Sequence, residues 1–299
     1  MIREMRSLER SYSMESLYQT IGKSRQHYAQ RVCREQSNKQ KELAVIDAVM
    51  KWREEHPRMG SRAMYYSMLD AGIELGLGVS KFEGLLSERG LTIGKIRRYG
   101  PQTSDGKGKD EYENLTNGLI LDGINQLIVG DITYYWVDEK WHYIFTLKDV
   151  YSQRILGIQP SRTLQVESAL KCLTELEQTR GRSSLAGCIH HTDDGSQYNA
   201  IVYVNQIKYL QMRISRSSSC QENGSAEQLN HVVKNMYMEG WSISTFKELV
   251  PACKEFKYLN NERRAIAQLG YLTPIGFEKA LEHTPNEQRI KKTMYDFNK

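Results

Sequence analysis

The chain has 299 residues, with 39% hydrophobic residues and 41 Lys and Arg against 36 Asp and Glu, which excludes disorder and collagen-like repeats and allows two or three domains. No stretch longer than 13 residues lacks a charged side chain, and the N-terminus carries charges instead of an apolar run, so we expect a cytoplasmic protein that does not contact a membrane. Residues 1–110 hold 20 Lys and Arg against 14 Asp and Glu, whereas the remainder holds 21 against 22. The N-terminal third is therefore expected to face a polyanion.

Residues 1–94 are predicted to be helical, and they begin with a helix–turn–helix pattern. A helix over Met14–Thr20 and a turn at Gly22 precede Ser24, a residue type that commonly caps helices. The helix that Ser24 would cap has a cationic face, on which Arg25 and Arg31 are candidate DNA contacts.

A second helix–turn–helix pattern follows an amphipathic helix over Glu42–Glu55. A helix over Ser61–Ala71 and a Gly-rich turn lead to Ser80, which we expect to begin the next helix as part of a capping box with Glu83. Lys81 on that helix is a further candidate DNA contact. Paired helices also occur in plain interaction modules, and the basic charge favours DNA.

Residues 95–115 are predicted to form a basic, Gly-rich linker. This stretch contains almost no apolar residue, and it includes Arg97 and Arg98. The two arginines are candidate contacts to a phosphate backbone, and a merely solvated linker is the other interpretation.

Beyond the linker the hydrophobic pattern changes from helical to strand-like. Leu127–Val137, Trp141–Leu147 and Arg154–Gln159 are rich in β-branched and aromatic residues and predict an antiparallel meander. Helices and short strands then alternate, which predicts an α/β fold with a mixed sheet and helices on both faces. The expected segments are helix Leu164–Thr179, strand Gly187–His191, helix Ala200–Leu210, strand Arg213–Ser215 and helix Gly224–Glu239.

Three carboxylates occupy positions that invite a chemical explanation. Asp131 interrupts an apolar strand, where an ionised side chain is costly to bury without a partner. Asp193 follows a strand, at the end where α/β sheets place their ligands, although an Asx turn would also explain it. Glu227 lies near the start of a helix, where the helix dipole alone would favour an acidic residue.

The two histidines before Asp193 raise the question of zinc. His190 and His191 are adjacent on a predicted strand, so their side chains should point to opposite faces of the sheet. No Cys or His elsewhere has zinc-site spacing relative to them. We therefore expect no zinc site.

The motifs around these carboxylates resemble the catalytic core of bacterial insertion-sequence transposases. The resemblance is to the second-frame product of two-frame elements, whose core is similar to that of retroviral integrases. The chain has 61 residues between Asp131 and Asp193 and 33 between Asp193 and Glu227, which is close to the spacing usual in this family. The motifs are Gly130–Tyr134, His191–Tyr198 and Glu222–Glu227, with Lys234 seven residues after the glutamate. One departure is that Val129 or Gly130 stands where the family commonly has an aromatic residue.

The resemblance implies a ribonuclease H-like catalytic core over residues 116–240, an all-α helix–turn–helix region before it and a C-terminal helical extension over residues 241–299. It implies that Asp131, Asp193 and Glu227 are the catalytic residues and hold two Mg²⁺ or Mn²⁺ ions, a role that suits hard oxygen ligands. Lys234 is expected two helical turns beyond Glu227 on the same face, where it could contact DNA.

The same resemblance implies the partners and leaves two alternatives to consider. The expected partners are double-stranded DNA, as terminal repeats and target, further copies of the chain on that DNA, and a possible first-frame protein. The expected location is the bacterial nucleoid. The alternatives are a ribonuclease H-like nuclease without strand transfer and a DNA-binding protein descended from a transposase that no longer catalyses. The presence of all three carboxylates argues against the second.

Overall fold

The computed structural model describes residues 13–94, 112–217 and 220–296. Arg97, Arg98 and most of the predicted linker lie outside these ranges. The chain divides into two compact units, one that ends at Lys51 and includes Leu75–Leu77, and one that comprises Trp52–Glu74 and the chain from Gly78 onward. No helix within the described ranges is long and apolar enough to cross a membrane.

The first unit contains helix α1 (Met14–Ile21) and most of α2 (Arg25–Glu55). Ser24 caps α2 as predicted, because its Oγ accepts a hydrogen bond of 3.1 Å from the His27 N–H. The prediction of a separate helix from Glu42 is wrong, since α2 runs unbroken for 31 residues. Its sequence contains no Gly or Pro to interrupt it, and it ends just before Pro57.

Two further helices, α3 (Ser61–Asp70) and α4 (Val79–Glu88), form the second predicted helix pair. The predicted capping box at Ser80 is wrong: Gly78 is the N-cap, and its carbonyl already accepts a hydrogen bond from the Phe82 N–H. Ser80 and Lys81 therefore lie in the first turn of α4. The pair of helices is tied together by an ion pair of 2.6 Å between Arg62 and Glu83.

The helix pair belongs to the same compact unit as the sheet. The Ala265 N–H donates to Ser67 Oγ at 2.8 Å, and the rings of Tyr66 and Tyr271 stack with centroids 4.2 Å apart. Just before α3, the His56 ring is buried and bonds to the Tyr237 hydroxyl at 2.7 Å. The predicted domain limits at residues 94, 115 and 240 stay a prediction.

Five strands form the mixed sheet that the sequence pattern predicts. They are β2 (Leu127–Val137), β3 (Lys140–Asp149), β4 (Ile155–Ser161), β5 (Ile189–Thr192) and β6 (Arg213–Arg216), in the spatial order β4-β3-β2-β5-β6. The first three are an antiparallel meander, and β5 and β6 run parallel to β2 and to each other. This arrangement confirms the ribonuclease H-like fold. A small sheet pairs β1 (Ile120–Leu121) with β7 (Lys292–Thr293).

Helices cover both faces of the sheet. One face packs on α5 (Val166–Arg180), the short helix α6 (Ser196–Asn199) and α7 (Ile201–Tyr209) through a core that includes Phe145 and Leu147. The other face packs on α8 (Gly224–His231), the π-helix Val232–Met238 and α9 (Phe246–Tyr258) through Ile144, Ile155 and Ile158. A second π-helix (Leu259–Arg263) and α10 (Pro274–Glu282) complete the C-terminal region.

Candidate active site

Asp131 lies where the central strand of the sheet loses one neighbour. The ladder between β2 and β5 covers Leu127–Val129 and stops there, whereas the ladder between β2 and β3 continues to Val137. Asp131 is half-buried, and its Oδ1 accepts a hydrogen bond of 2.8 Å from the Ile132 N–H. The carboxylate that the sequence places inside an apolar strand thus sits at an open edge of that strand.

Gly130 is tightly packed beside this carboxylate. A Cβ at this position would lie 2.9 Å from Leu147 Cδ2, 3.1 Å from Thr192 Cγ2 and 3.4 Å from His190 Cε1. Since β3 and β5 close on the strand from both sides, no aromatic ring fits at Gly130. The departure from the family pattern therefore has a packing reason at this position.

Asp193 directly follows β5, and because β5 runs parallel to β2, its end meets the same edge of the sheet. The Gly195 N–H donates to Asp193 Oδ1 at 3.2 Å, which forms the Asx turn that the sequence offers as the other explanation for this aspartate. The Asx turn does not prevent Asp193 from acting in a functional site, because its second carboxylate oxygen takes no part in the turn.

Glu227 is exposed on α8, and three hydrogen bonds fasten this helix to the sheet. Asn223 Nδ2 donates to the Gly130 carbonyl at 3.2 Å, and Lys148 Nζ donates to the Ser225 carbonyl at 2.6 Å. Asn230 Nδ2 donates to Asp131 Oδ2 at 2.7 Å. The helix that carries Glu227 is therefore held directly against the strand that carries Asp131.

The three carboxylates interact electrostatically. Burial, together with the negative charges of Asp193 and Glu227, raises the pKa of Asp131 to about 7. Burial also raises the pKa of Asp193, against the opposing effects of the Gly195 N–H and the Arg216 charge. Within the described ranges, no three His, Cys, Asp or Glu side chains are grouped closely enough to hold a metal ion. The carboxylates are coupled without forming a closed ligand cluster.

The raised pKa of Asp131 predicts a stability that depends on pH in the metal-free protein. Between about pH 4 and 7 the folded protein keeps a proton that the unfolded chain has lost, so this group makes stability fall as pH rises through that window. In EDTA, Asp131→Asn should be more stable than wild type at pH 8 by about 2–4 kcal/mol, and this gain should vanish near pH 4. Urea denaturation at both pH values measures this gain in stability, and Asp47→Asn, at an exposed position on α2, is the control. An equal gain in both variants would contradict the prediction.

The two histidines lie on opposite sides of β5, as predicted. His190 Nε2 bonds to the Tyr203 hydroxyl at 2.8 Å, and His191 Nδ1 bonds to Ser215 Oγ at 2.8 Å. Burial lowers the pKa of His190 to about 3 and that of His191 to about 4, so both rings are neutral at pH 7. Each has a structural partner on a neighbouring element.

The predicted DNA contacts are dispersed, and their role stays a prediction. Arg25, Arg31 and Lys81 are exposed, and Arg31 forms an ion pair of 2.8 Å with Glu35. Lys234 is half-buried in the π-helix Val232–Met238. Its direction relative to Glu227 therefore differs from that expected for an uninterrupted α-helix.

Sequence reasoning missed three residues that shape the site. Asn230 donates a hydrogen bond to Asp131. The feature of the sequence that could have identified it is its position one helical turn after Glu227. Burial lowers the pKa of Lys148 to about 7. In the sequence, this residue could have been identified as a charged side chain within the apolar segment before Val150. Arg216 Nη2 donates to the Tyr198 carbonyl at 2.7 Å, and its charge acts on Asp193. No local signal marks Arg216.

Two buried oxygen atoms lie beside the carboxylates without a hydrogen-bond donor from the described residues. They are the side-chain Oδ1 atoms of Asn223 and Asn230, whose nitrogen atoms bond to Gly130 and Asp131. Carboxylate and amide oxygens are hard ligands, and they suit Mg²⁺ or Mn²⁺ better than zinc. The residues present therefore fit the divalent ions that the sequence resemblance implies.

Comparison with known proteins identifies the family. A family model described as an integrase core domain matches residues 122–220. The insertion element IS600 uncharacterized 31 kDa protein of Shigella sonnei is 27% identical over 250 residues, which are 82% of this chain and 89% of that protein. The transposase InsF for insertion sequence IS3A of Escherichia coli (strain K12) is 30% identical over 199 residues, or 64% of this chain and 68% of that protein.

Among solved structures, the HTLV-2 integrase catalytic core domain in complex with magnesium aligns with 56% of this chain and 99% of its own, at 13% identity and a TM-score of 0.42. The order of the five strands and the InsF match together decide the assignment. The chain belongs to the family of bacterial insertion-sequence transposases with an integrase-like core.

Proposed function

We propose that this transposase cuts DNA at the insertion-sequence ends and joins the freed 3′-hydroxyl to a new phosphodiester at a centre formed by Asp131, Asp193 and Glu227. The observation that carries the proposal is the coupling of the three carboxylates: the charges of Asp193 and Glu227 both raise the pKa of Asp131. They come from the middle of β2, from the residue after the parallel strand β5 and from one helix, a convergence that folding alone does not require.

Asp131, Asp193 and Glu227 are the residues that would hold Mg²⁺ or Mn²⁺. Bound ions would supply activation of the attacking oxygen and stabilisation of the leaving oxygen. A protonated Asp131 is a poor ligand, so ion binding should release a proton below about pH 7. Coupled carboxylates are costly to ionise together, and bound cations offset that cost.

The other residues of the site position these ligands. Asn230 donates to Asp131 Oδ2 and so fixes the orientation of that carboxylate, while the Gly195 N–H does the same for Asp193. Lys148 holds the first turn of α8 through the Ser225 carbonyl, two residues before Glu227. Pre-set orientation of this kind reduces the reorganisation required when substrate binds.

Activity should require a divalent ion. Protein stripped with EDTA should neither cut nor join, Mg²⁺ or Mn²⁺ should restore both, and Ca²⁺ should support assembly with little turnover because it prefers longer and looser coordination. Cleavage and joining of a labelled insertion-sequence end measure this. Undiminished cleavage by the stripped protein would contradict it.

The products separate this proposal from a nuclease. A ribonuclease H-like nuclease without strand transfer would yield only nicked DNA, whereas a transposase also yields joined strands. The match to named transposases favours joining. A protein that no longer catalyses would have no need of the coupled carboxylates.

We further propose that the N-terminal helices read the terminal repeats and that several copies assemble on the DNA, with a first-frame protein as a possible additional partner. Support comes from the net charge of residues 1–110 and from the exposure of Arg25 and Lys81. Because α3 contacts the segment around Ala265, this role is best tested in the full-length protein.

Arg25→Ala and Lys81→Ala should each weaken binding of the full-length protein to insertion-sequence ends. If the residue touches only phosphate, affinity should fall for all sequences alike, and the log–log slope against salt should drop by about 0.9. If it reads a base edge, specificity should fall by about 1–3 kcal/mol. Fluorescence anisotropy at several salt concentrations measures both, and unchanged affinity with an unchanged slope would remove the residue from the interface.

A further inference from the structure

The last residue of β6, Arg216, is a buried cation beside the loop that begins with Asp193. The register of the parallel strands β5 and β6 pairs Arg216 with Thr192, the residue directly before Asp193. Only 5% of Arg216 is exposed to solvent. The acceptors that the described residues offer to its guanidinium are neutral oxygens, and the centre of the Tyr112 ring lies 5.4 Å from it.

Folding alone does not account for an arginine at this position. Removing an ionised side chain from water is costly, and hydrogen bonds to neutral oxygens offset only part of that cost. Burial accordingly lowers the pKa of Arg216. Apolar side chains of similar volume can often replace buried ionic groups without loss of stability. The presence of an arginine is therefore better explained by the groups that its guanidinium holds.

The guanidinium of Arg216 binds the C-terminal end of the short helix α6. Its Nη2 donates to the Tyr198 carbonyl at 2.7 Å, and its Nε donates to Asn199 Oδ1 at 3.2 Å. The Tyr198 carbonyl lies in the last turn of α6, where main-chain carbonyls have no partner within the helix. The N–H groups of an arginine form a planar fork with fixed directions, so one side chain can hold both acceptors at once.

Asn199 extends this restraint to the residues that follow Asp193. Its Nδ2 donates to Asp194 Oδ1 at 2.6 Å and to the Asp194 carbonyl at 3.3 Å. The next residue, Gly195, donates its N–H to Asp193 Oδ1. The loop of residues 193–199 is therefore closed by its own hydrogen bonds, and Arg216 joins its far end to the sheet.

We propose that Arg216 is a positioning residue, which holds the loop of residues 193–199 so that the second carboxylate oxygen of Asp193 faces a divalent ion. The inference rests on the proposed function, because it requires Asp193 to be a metal ligand. Groups that orient the ligands of a metal commonly change the metal affinity by about 10- to 100-fold when they are replaced. Arg216 lies farther from the ligand than such groups, so we expect an effect at the lower end of this range.

The test measures the affinity of the full-length protein for Mn²⁺, from the electron paramagnetic resonance signal of the free ion. Arg216→Lys keeps a cationic side chain but loses the planar fork, so the affinity should fall by about 10-fold. Asn199→Ala removes the bonds to Asp194 at an exposed position and should lower the affinity to a smaller extent. Neither substitution changes a proposed ligand.

Two control variants match these substitutions in type. Arg53→Lys changes an arginine that likewise donates to main-chain carbonyls, those of Pro57, Met59 and Leu91. Asn205→Ala changes an exposed asparagine on α7. Both controls should bind Mn²⁺ as wild type does. A loss in the controls as large as that in the matched variants would overturn the proposal.

Combination with Asp193→Asn separates positioning from a general structural defect. Asp193→Asn alone should lower the Mn²⁺ affinity, and adding Arg216→Lys should lower it no further, because both changes act on the same ligand. Wild-type affinity in Arg216→Lys and Asn199→Ala would overturn the proposal, as would an undiminished further loss in the double variant. If Arg216→Lys does not fold, as judged by circular dichroism, Asn199→Ala and its combination with Asp193→Asn decide by the same criteria.

The same measurements distinguish a failure of this inference from a failure of the proposed function. A loss of Mn²⁺ affinity in Asp193→Asn, without a loss in the Arg216 and Asn199 variants, would contradict the positioning role alone. Unchanged affinity in Asp193→Asn would contradict the three-carboxylate centre, and the inference with it.

Discussion

Asp131→Asn should lower both cleavage and strand joining by about 1,000-fold or more. The substitution removes one ligand charge, and metal-ion stabilisation of the transition state amounts to several kcal/mol, each 1.4 kcal/mol being tenfold in rate. Shape is preserved, and the amide oxygen can still accept one of the two hydrogen bonds that the carboxylate accepts, from the Ile132 N–H or from Asn230. Binding to the insertion-sequence end should therefore persist, since the exposed basic residues are unchanged.

The other two carboxylates should behave in the same way. Asp193→Asn and Glu227→Gln should each abolish turnover, whereas Asp47→Asn on α2 should be active. Initial rates on a labelled DNA end, with affinity measured in parallel, distinguish lost chemistry from lost binding. Turnover like that of wild type in any one of the three variants would remove that residue from the site.

Glu278→Ala should cost about 3 kcal/mol of folding stability, because it removes the closest partner of the buried Arg180 and leaves this cation only Asp149, at 3.5 Å. Arg180 donates to Glu278 through both terminal nitrogens, at 2.8 and 2.5 Å, and Arg154 adds a bond of 2.5 Å. The Ser152 hydroxyl donates to the same carboxylate at 2.7 Å. This buried network fastens α10 to α5 and to the β3–β4 turn.

Urea denaturation measures this loss, and Glu282→Ala, an exposed glutamate on the same helix, is the control. Burial alone would raise the pKa of Glu278, but the hydrogen bonds and charges of Arg180, Ser152 and Arg154 hold it below its ordinary value. The stabilisation is therefore present at neutral pH and lost as pH falls through the folded-state pKa. Similar losses from both substitutions would contradict this role.

The sheet could be predicted from the sequence because its pattern is local. The strand Leu127–Val137 was predicted with its observed limits, since β-branched and aromatic residues fill it and a turn follows. That turn places Asp138 and Glu139 at positive φ, in the conformation that closes two-residue hairpins. Asp131 was identified because it breaks this pattern.

The helices were harder to delimit. The first part of α2 is so polar that it has little periodicity, which hid its continuity with the amphipathic part. In α4 a Ser and a Glu at the right spacing predicted a capping box, but the chain enters the helix two residues earlier, at Gly78. The π-helix after His231 has no sequence signature of its own.

The contacts that assemble the site could not be predicted from local pattern. Asn230 reaches Asp131 across 99 residues of sequence, and Lys148 reaches Ser225 across 77. The motifs identify the three carboxylates, but only the packing of α8 on β2 and β3 shows which side chains hold them in place.

The most direct test of the central claim is the location of metal ions in the protein bound to an insertion-sequence end. Crystals grown with Mn²⁺ under conditions that prevent turnover would give anomalous scattering from each ion. We expect ions bound by oxygen atoms of Asp131, Asp193 and Glu227, and reduced occupancy in Asp131→Asn. Ions bound by other residues, or the absence of ions at these three carboxylates while DNA occupies the site, would contradict the account.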